Sequence, residues 1–431
     1  MSPSKSPLAA AIERGLRPEG SLAAEVRALR RRDVRSLGDA RAVLRALDVV
    51  AHRTPTDQPP FGSDLHTVAS LFQNVQTRRA FFLLYRRGIP RLLRIFDEKL
   101  AAGDAADDVD LLVMARVFAM YPSLRTTRRI VSAARRPVDP ESFLWLHLFE
   151  SLVDNPYRVR ICRALRDPLP QGTLGGAFLE FANMLCLKGA LRRHPFDTRR
   201  GLNMLRATLL DTGQDCALTR GAVVSSLPFL RSPQRDDLLA YALDDADVGI
   251  QLTAAWASAY RGSRAALAML RRGCLDVRYS WLARGYLEEL DLTEMVPAAA
   301  HESQFAAMTE LCRWLSYPTQ FGRPPDEIEF YDSREMYWPP TADRRRLWLF
   351  RYHYESASEA GAPPRSESGL GLVGSVTFSL REGVATEVDA DDAYALHCCF
   401  ELQYNDDPRA PEELSVEAGR RVLVECGAWP P

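Results

Sequence analysis

Helical periodicity recurs along most of this chain, from about Ser21 to Pro318, and it limits the fold more than any other feature. Apolar residues return at i, i+3, i+4 and i+7 in one segment after another, as in residues 39–53 and 143–153. This spacing places them on one face of an α-helix. Gly and Pro residues, such as the Gly88-Ile89-Pro90 stretch, interrupt the pattern at helix-length intervals. The sequence therefore predicts a long series of short amphipathic helices.

Residues 238–263 are the clearest unit of this series. Leu238 to Leu243 is typical of a helix end, Asp244 to Asp247 of a turn, and the following apolar run of a second helix. Small residues such as Ala254 and Ala255 let that second helix approach its neighbours closely, so that repeated helix pairs can stack into a continuous core.

This stretch resembles a HEAT repeat, the two-helix unit of α-solenoids. Fainter echoes of the same pattern begin near residues 164, 208 and 273, and the leucines at 210, 243 and 275 lie 33 and 32 residues apart. In the family an arginine usually follows the apolar residue that opens the second helix, but Gln251 stands there in this chain. At this position the chain therefore departs from the arginine-to-turn contact that is usual in the family. A non-repeating helical bundle is the structural alternative.

The periodicity of apolar residues changes from helical to strand-like after Pro318. Residues 320–327 are typical of a linker, and alternating apolar residues predict strands over 327–333, 346–355 and 371–380. Residues 390–404 also alternate, but Asp389 and Asp392 are typical of a helix start, and we favour a helix. A further helix is predicted between Ser415 and Gly427.

The predicted architecture is mainly α, with four parts. A flexible N-terminus over residues 1–20 precedes a HEAT-like right-handed α-solenoid over 21–318, whose clearest interior loop is 54–62. A linker over 319–326 leads to a small α+β domain over 327–431. A mobile loop is expected where residues 356–369 join two of its strands.

The net charge of −1 hides a strong asymmetry. Residues 1–200 contain 33 basic and 21 acidic residues, a net charge of +12, whereas residues 201–431 have a net charge of −13. Arginine greatly outnumbers lysine, as is typical of a GC-rich genome. A basic half of this kind is compatible with a polyanionic partner.

Arginine pairs stand directly before several helix breakers: Arg86-Arg87, Arg135-Arg136, Arg192-Arg193 and Arg271-Arg272. Cations in the last turn of a helix stabilise its dipole, which is the structural interpretation. The functional interpretation is a basic surface for an anion, because equivalent helix ends of a solenoid lie along one edge. Tyr337 and Trp338 precede two prolines, which favour an extended loop, and they are the second candidate binding site for a partner.

No sequence motif for catalysis, for a metal or for a cofactor is found. His397-Cys398-Cys399 is the most reactive-looking cluster, but residues adjacent in sequence rarely face each other, and we expect these side chains in the core. The eight cysteines lack disulfide or zinc spacing, and no apolar stretch is long enough for a membrane helix. We therefore expect no cofactor, no metal and no membrane contact.

The expected function is that of a cytoplasmic, non-enzymatic scaffold or adaptor that binds a protein partner on the concave face of the solenoid, as the resemblance implies. The first alternative is a protein that binds nucleic acid or another polyanion through its arginine-rich N-terminal half. The second alternative is an enzyme with its site in the C-terminal domain.

Overall fold

The computed structural model describes residues 6–430 apart from 18, 30, 52–62, 137, 212–216, 318–319, 356–365, 382–387 and 406. Residue contacts divide the chain into two compact units, Met1–Ala242 and Leu243–Pro431. The loop predicted at 54–62 and most of the loop predicted at 356–369 lie outside the described residues. None of the described helices is long and apolar enough to cross a membrane.

Helices make up most of the described part of the N-terminal unit. Its α-helices are α1 (Pro7–Gly15), α2 (Leu22–Arg27), α3 (Leu37–Val50), α4 (Asp64–Leu71), α5 (Arg78–Leu83), α6 (Ile89–Ala102), α7 (Asp108–Met120), α8 (Leu124–Arg135), α9 (Leu144–Leu152), α10 (Arg158–Leu165), α11 (Gly172–Leu187), α12 (Arg199–Leu210), α13 (Ala217–Ser226) and α14 (Gln234–Leu243). Many begin where a Ser or Thr side chain accepts a hydrogen bond from the first turn, and Ser36 and Ser123 form complete capping boxes.

A helix occupies part of the segment that we expected to be flexible. In α1, Ser6 caps the first turn and Leu8, Ala11 and Ile12 are buried. The apolar side of this short helix contacts α2 and α3. Burial of these side chains against two neighbours is what orders residues 7–15, although the Ser, Pro and Gly content of residues 1–20 suggests disorder.

Helices of the N-terminal unit contact near neighbours in two rows. In the α7 row, α7 contacts α9, α9 contacts α11 and α11 contacts α13. In the α6 row, α6 contacts α8 and α8 contacts α10. The pairs α6 with α7, α7 with α8, and α10 with α11 join the two rows. Buried apolar side chains such as Phe118, Phe149 and Phe178 belong to the α7 row, so this row supplies much of the core.

The helix break predicted at Gly88-Ile89-Pro90 does not occur, and the helix continues through these residues. Between α5 and α6 the backbone forms a π-helical turn over Leu84–Gly88, in which the Ile89 N–H donates to the Leu84 carbonyl five residues earlier. Pro90 has no N–H to offer the carbonyl of Arg86, and a wider turn accommodates this loss. A side chain at Gly88 would lie 2.6 Å from the Phe72 ring, so glycine lets this turn pack closely.

The C-terminal unit combines helices with one antiparallel sheet. Its helices are α15 (Val248–Tyr260), α16 (Arg264–Gly273), α17 (Ser280–Glu289), α18 (Ser303–Leu315), α19 (Ala390–Tyr404) and α20 (Val416–Glu425). The strands, in the spatial order β1-β2-β3-β4, are β1 (Glu327–Trp338), β2 (Asp343–Glu355), β3 (Ser366–Val373) and β4 (Phe378–Arg381). Residues 390–404 are helical, as we favoured, and Ser415 caps α20.

Helices cover both faces of the sheet. Leu347, Leu349 and Leu370 pack with α19 and α20 on one face. Phe350 and Tyr352 pack with Leu311 of α18 on the other. A side chain at Gly371 would lie 2.5 Å from Leu311, so this glycine admits α18 against β3.

The structure differs from the sequence expectation at two points here. The predicted linker at 319–326 does not separate two packed units, because α18 before it shares a core with β2 and β3 after it. Residues 371–380, expected as one strand, form the end of β3, a turn with Gly374 at a φ of 108°, and the start of β4. Phe378 is paired with Leu372 across the sheet rather than continuing the same strand.

The turn before α15 is held by the residue that departs from the HEAT pattern. The Gln251 Nε2 donates to the Asp245 carbonyl at 2.6 Å, and the Asp247 carboxylate caps α15 by accepting from the N–H groups of Gly249 and Ile250. Glutamine therefore makes a side-chain contact with the turn here. Ala254 and Ala255 are fully buried, as the small-residue pattern predicts.

Candidate functional site

Arg135 and Arg136 contact the ends of neighbouring helices. They lie at the C-terminus of α8 and at its cap. The Arg135 guanidinium donates to the Ala164 carbonyl near the end of α10, and Arg136 donates at 2.9 Å to the Leu100 carbonyl near the end of α6. Carbonyls in a last helical turn lack partners within the helix, so these arginines stabilise the packing of the α6 row.

The other pairs occupy different environments. Arg192 and Arg193 lie in the irregular segment after α11, where Arg193 binds the buried Asp197 at 3.1 Å. Arg86 and Arg87 are exposed on the π-helical turn, in the middle of a continuous helix. Arg271 and Arg272 do lie in the last turn of α16. The functional interpretation requires all four pairs to lie at equivalent helix ends. The structure shows that they do not.

The expected exposed loop at Tyr337 and Trp338 is the end of a strand. Both residues belong to β1, and the turn begins only at Pro339. Trp338 is 0% exposed, and its indole N–H donates to the Glu401 carboxylate at 2.8 Å. Glu401 also accepts from the Ser375 hydroxyl at 2.6 Å. Trp338 is thus a core residue and is not accessible to a partner, while Tyr337 is half-buried.

The His397-Cys398-Cys399 cluster lies in the core, as expected. Burial lowers the pKa of His397 to about 3 and raises the pKa of Cys398 and Cys399. A thiol with a raised pKa is a poor nucleophile, and a histidine that stays neutral at physiological pH provides no cationic partner for it. We assign these three residues no catalytic role.

Arginine is concentrated on alternate helices of the N-terminal unit. Helices α8, α10 and α12 contain ten arginines and no Asp or Glu: Arg125, Arg128, Arg129, Arg135, Arg158, Arg160, Arg163, Arg199, Arg200 and Arg206. Helices α7, α9 and α11, by contrast, contain one arginine and four acidic residues. Charge therefore differs between the two rows. Helices α8 and α10 of the α6 row contain seven of these arginines, although α6 itself contains Asp97 and Glu98.

Four arginines of the α6 row are exposed without a carboxylate partner among the described residues. They are Arg125 and Arg128 on α8 and Arg160 and Arg163 on α10, and we call them the basic surface. Each pair is spaced i, i+3, which places both guanidinium groups on one side of their helix. Helices α8 and α10 are in contact, so the two pairs lie on adjacent helices.

A groove of about 600 Å³ runs between α6 and α8, and the basic surface borders it. Its lining includes Arg94, Asp97, Arg125 and Arg128. Asp97 is held by Arg129, whose guanidinium nitrogens lie 2.6 and 3.0 Å from its two oxygens. This bidentate pair neutralises Asp97, which leaves the α8 side of the groove positively charged.

A cleft of the C-terminal unit has a different character. It measures about 720 Å³, and its lining includes Arg278, Asp326 and His353. Arg278 is paired with Asp276 and Asp326 with Arg323, so these charges are already neutralised. The His353 ring and the Ser368 hydroxyl are 2.9 Å apart, but they are cross-strand neighbours in the sheet. Because Asp326 is held elsewhere, these groups do not form a catalytic triad.

No three His, Cys, Asp or Glu side chains in the described part of the chain lie together as metal ligands would. No protein-family profile and no solved structure matches the chain. An uncharacterised protein of Haloarcula marismortui is 30% identical over 149 residues, which are 33% of this chain and 50% of that protein. The match thus spans about half the length of this relative.

Sequence reasoning missed two features of the N-terminal unit. The arginines of α8 and α10 were not distinguished from the general arginine content, although neither helix contains an Asp or Glu. Phe82 and Tyr85, exposed beside Arg86 and Arg87, were also missed. The available signal was the absence of any Asp or Glu over residues 65–96, which contain six arginines.

Proposed function

We propose that this protein is a helical-repeat protein that binds a polyanion through the basic surface of its N-terminal unit. The observation that carries the proposal is the separation of charge between the two helix rows. Burial alone keeps arginine off the α7 row, which supplies much of the core. Burial does not explain why the exposed sides of α8 and α10 contain arginine and no Asp or Glu, since acidic side chains suit an exposed helix equally well. The seven arginines on α8 and α10, two contacting helices without Asp or Glu, instead form a coherent positive field.

The HEAT-like repeat is part of this proposal, and contacts at three turns support it. The buried Arg220 of α13 donates to the Leu209 carbonyl at 3.2 Å. Gln251 of α15 donates to the Asp245 carbonyl, and Arg278 before α17 binds Asp276 with two bonds of 3.2 Å. A side chain at or near the start of a second helix thus returns to the preceding turn or helix end each time, which is the contact that the resemblance implies.

A scaffold that binds a protein on a concave face, our expectation from the sequence, has less support. Trp338, one of the two aromatic residues that we expected at a partner-binding site outside the solenoid, is buried and belongs to the core of the C-terminal unit. Arginine suits both carboxylate and phosphate groups. An acidic protein is therefore an alternative ligand for the basic surface, and the experiment below separates the two classes.

The test measures affinity across a salt series with the full-length chain. Fluorescence anisotropy of a labelled 30-nucleotide single strand, of a duplex and of poly-glutamate is recorded between 50 and 200 mM salt. Nucleic-acid binding that depends on phosphate contacts weakens steeply with salt, by a slope of about 0.7 per contact for single strands. We expect both nucleic acids to bind with a steep slope and poly-glutamate to bind more weakly.

A charge-neutral variant assigns the binding to the surface. Arg125→Gln, Arg128→Gln, Arg160→Gln and Arg163→Gln together should lower the single-strand slope by about 2 to 3. The matched control is Arg271→Gln with Arg272→Gln, because these arginines are equally exposed but lie in the other unit. No nucleic-acid binding at 50 mM salt, or equal losses in variant and control, would refute the proposal. Preferential binding of poly-glutamate would favour the protein scaffold instead.

A further inference from the structure

Two exposed aromatic rings lie among arginines on the helix that leads into α6. Phe82 is 47% exposed and Tyr85 37% exposed. Arg78 and Arg79 precede them, and Arg86 and Arg87 follow them, all four exposed. The whole segment from residue 65 to residue 96 lacks acidic residues. Other aromatic rings of the chain are exposed as well, but this pair lies between two arginine pairs in a segment without acidic residues. Rings interleaved with arginines are the pattern expected of a site for single-stranded nucleic acid.

Tyr85 packs against a buried aromatic cluster. The Tyr121 hydroxyl donates to the Phe72 carbonyl at 3.0 Å, and Tyr121 itself is fully buried. Phe81 stacks on Tyr121 with the ring centroids 4.6 Å apart, and Tyr85 lies 6.2 Å from Tyr121 with its plane inclined by only 16°. Tyr85 is thus oriented by an ordered core, and little side-chain freedom remains to be lost on binding.

The π-helical turn keeps these groups close to the basic surface. Because the helix continues from α5 through this turn into α6, the two rings and the four arginines lie on the same continuous helix as Arg94. Helix α6 in turn contacts α8, which contributes Arg125 and Arg128. π-helical turns within longer helices occur frequently at functional sites.

We propose that Phe82 and Tyr85 form a stacking platform for the unpaired bases of single-stranded nucleic acid, with Arg78, Arg79, Arg86 and Arg87 binding its phosphates. This inference rests on the proposed function and specifies its ligand. Each base has a flat face that stacks on an aromatic ring whatever its sequence, and arginines track the backbone beside it. In a duplex the base faces are stacked on one another, so the rings offer it nothing. An acidic protein offers carboxylates, but it does not present a flat ring beside each successive charge as a single strand does.

The arrangement around Phe82 is consistent with this assignment. The Arg78 guanidinium lies 5.6 Å from the centre of the Phe82 ring, so one face of the ring already holds a flat cation. A base and a guanidinium group stack on such a ring in the same manner. When a strand binds, Arg78 is close enough to pair with the adjacent phosphate.

The experiment compares labelled dT15 with a 15-base-pair duplex by anisotropy at 50 and 150 mM salt, using the full-length chain. We expect wild-type protein to prefer dT15 by tenfold or more. The double variant Phe82→Ala, Tyr85→Ala should lose tenfold or more of its dT15 affinity, since a stacked base contributes roughly five- to hundredfold. Its salt slope and its duplex affinity should change less than twofold. Tyr85→Phe, which keeps the ring, should bind as wild type does.

The outcomes separate this inference from the function on which it rests. Binding of neither probe at 50 mM salt refutes the proposed function. Equal affinity for both probes, or an unchanged dT15 affinity after removal of the rings, overturns the platform and leaves the basic surface in place. If the double variant melts at a lower temperature than wild type, Phe82→Ala alone is used, because Phe82 is the more exposed of the two rings.

Discussion

The buried His397 should make the C-terminal unit sensitive to mild acid. Its side chain is 2% exposed, and its Nε2 has no hydrogen-bond partner among the described residues. Desolvation disfavours the imidazolium, so the pKa of His397 is lowered to about 3 in the folded chain. In the unfolded chain a histidine has a pKa of about 6.5.

The size and direction of the effect follow from these two values. Above pH 6.5 the histidine is neutral in both states, and its contribution to stability is fully present. As the pH falls from 6.5 towards 3, the unfolded chain takes up a proton that the folded chain does not, which stabilises the unfolded state. At pH 5 the loss relative to pH 7 is about 2 kcal/mol from this one residue.

The assay is urea unfolding at pH 7 and pH 5, followed by tryptophan fluorescence. Six of the seven tryptophans lie in the C-terminal unit, so this signal reports mainly on that unit. His397→Leu removes the titrating group. With a urea m-value of about 2 kcal/mol/M, the wild-type midpoint should fall between pH 7 and pH 5 by about 1 M more than that of the variant.

The control is His301→Leu, because His301 lies in the same unit with an exposed side chain. This variant should keep the pH dependence of the wild type. If His397→Leu and wild type show the same difference between pH 7 and pH 5, the histidine is protonated in the folded chain as readily as in the unfolded one. That result would refute the reasoning from burial.

Three further changes test the packing of the C-terminal unit. Ala255→Leu should cost about 1–3 kcal/mol in a thermal melt by overpacking α15, whereas Ala268→Leu on exposed α16 should cost little. Trp338→Phe should cost about 1.5–3 kcal/mol in urea unfolding, because Glu401 loses a charged hydrogen bond, and the loss should be smaller in a Glu401→Gln background. A chain that ends at residue 320 should bind a hydrophobic dye strongly, since α18 loses the sheet that covers it; a well-packed fragment would restore the predicted linker as a domain boundary.

Local signals predicted many of the elements. Periodicity and capping residues located the helices, and Ser415 and Asp389 stand at the N-caps of α20 and α19. These signals act over a few residues and are visible in the sequence. The burial of Trp338 is not, because the prolines after it suggest a loop while its partner Glu401 is 63 residues away. Trp338 is buried because α19 packs against the sheet, and this contact between distant segments is not visible in the local sequence.

The continuous helix through Gly88 and Pro90 eluded prediction for a related reason. Gly-Ile-Pro is a strong break signal, and a proline inside a helix usually ends or kinks it. Here the π-helical turn absorbs the missing hydrogen bond, and the close approach of Phe72 to Gly88 supplies packing on the same turn. Neither contribution is visible from residues 84–90 alone, since Phe72 belongs to the preceding segment.

Contacts between alternate helices gather arginines that are scattered along the sequence onto one surface. Because α6 contacts α8 and α8 contacts α10, helices that are second neighbours in sequence lie side by side. Arginine on every second helix then accumulates on one row, while the intervening helices contribute aromatic and aliphatic side chains to the core. A net charge computed over the whole segment averages the two rows and hides this separation. Counted helix by helix, the same arginines mark a surface whose positive field adds up over neighbouring helices, as the proposed binding of a polyanion requires.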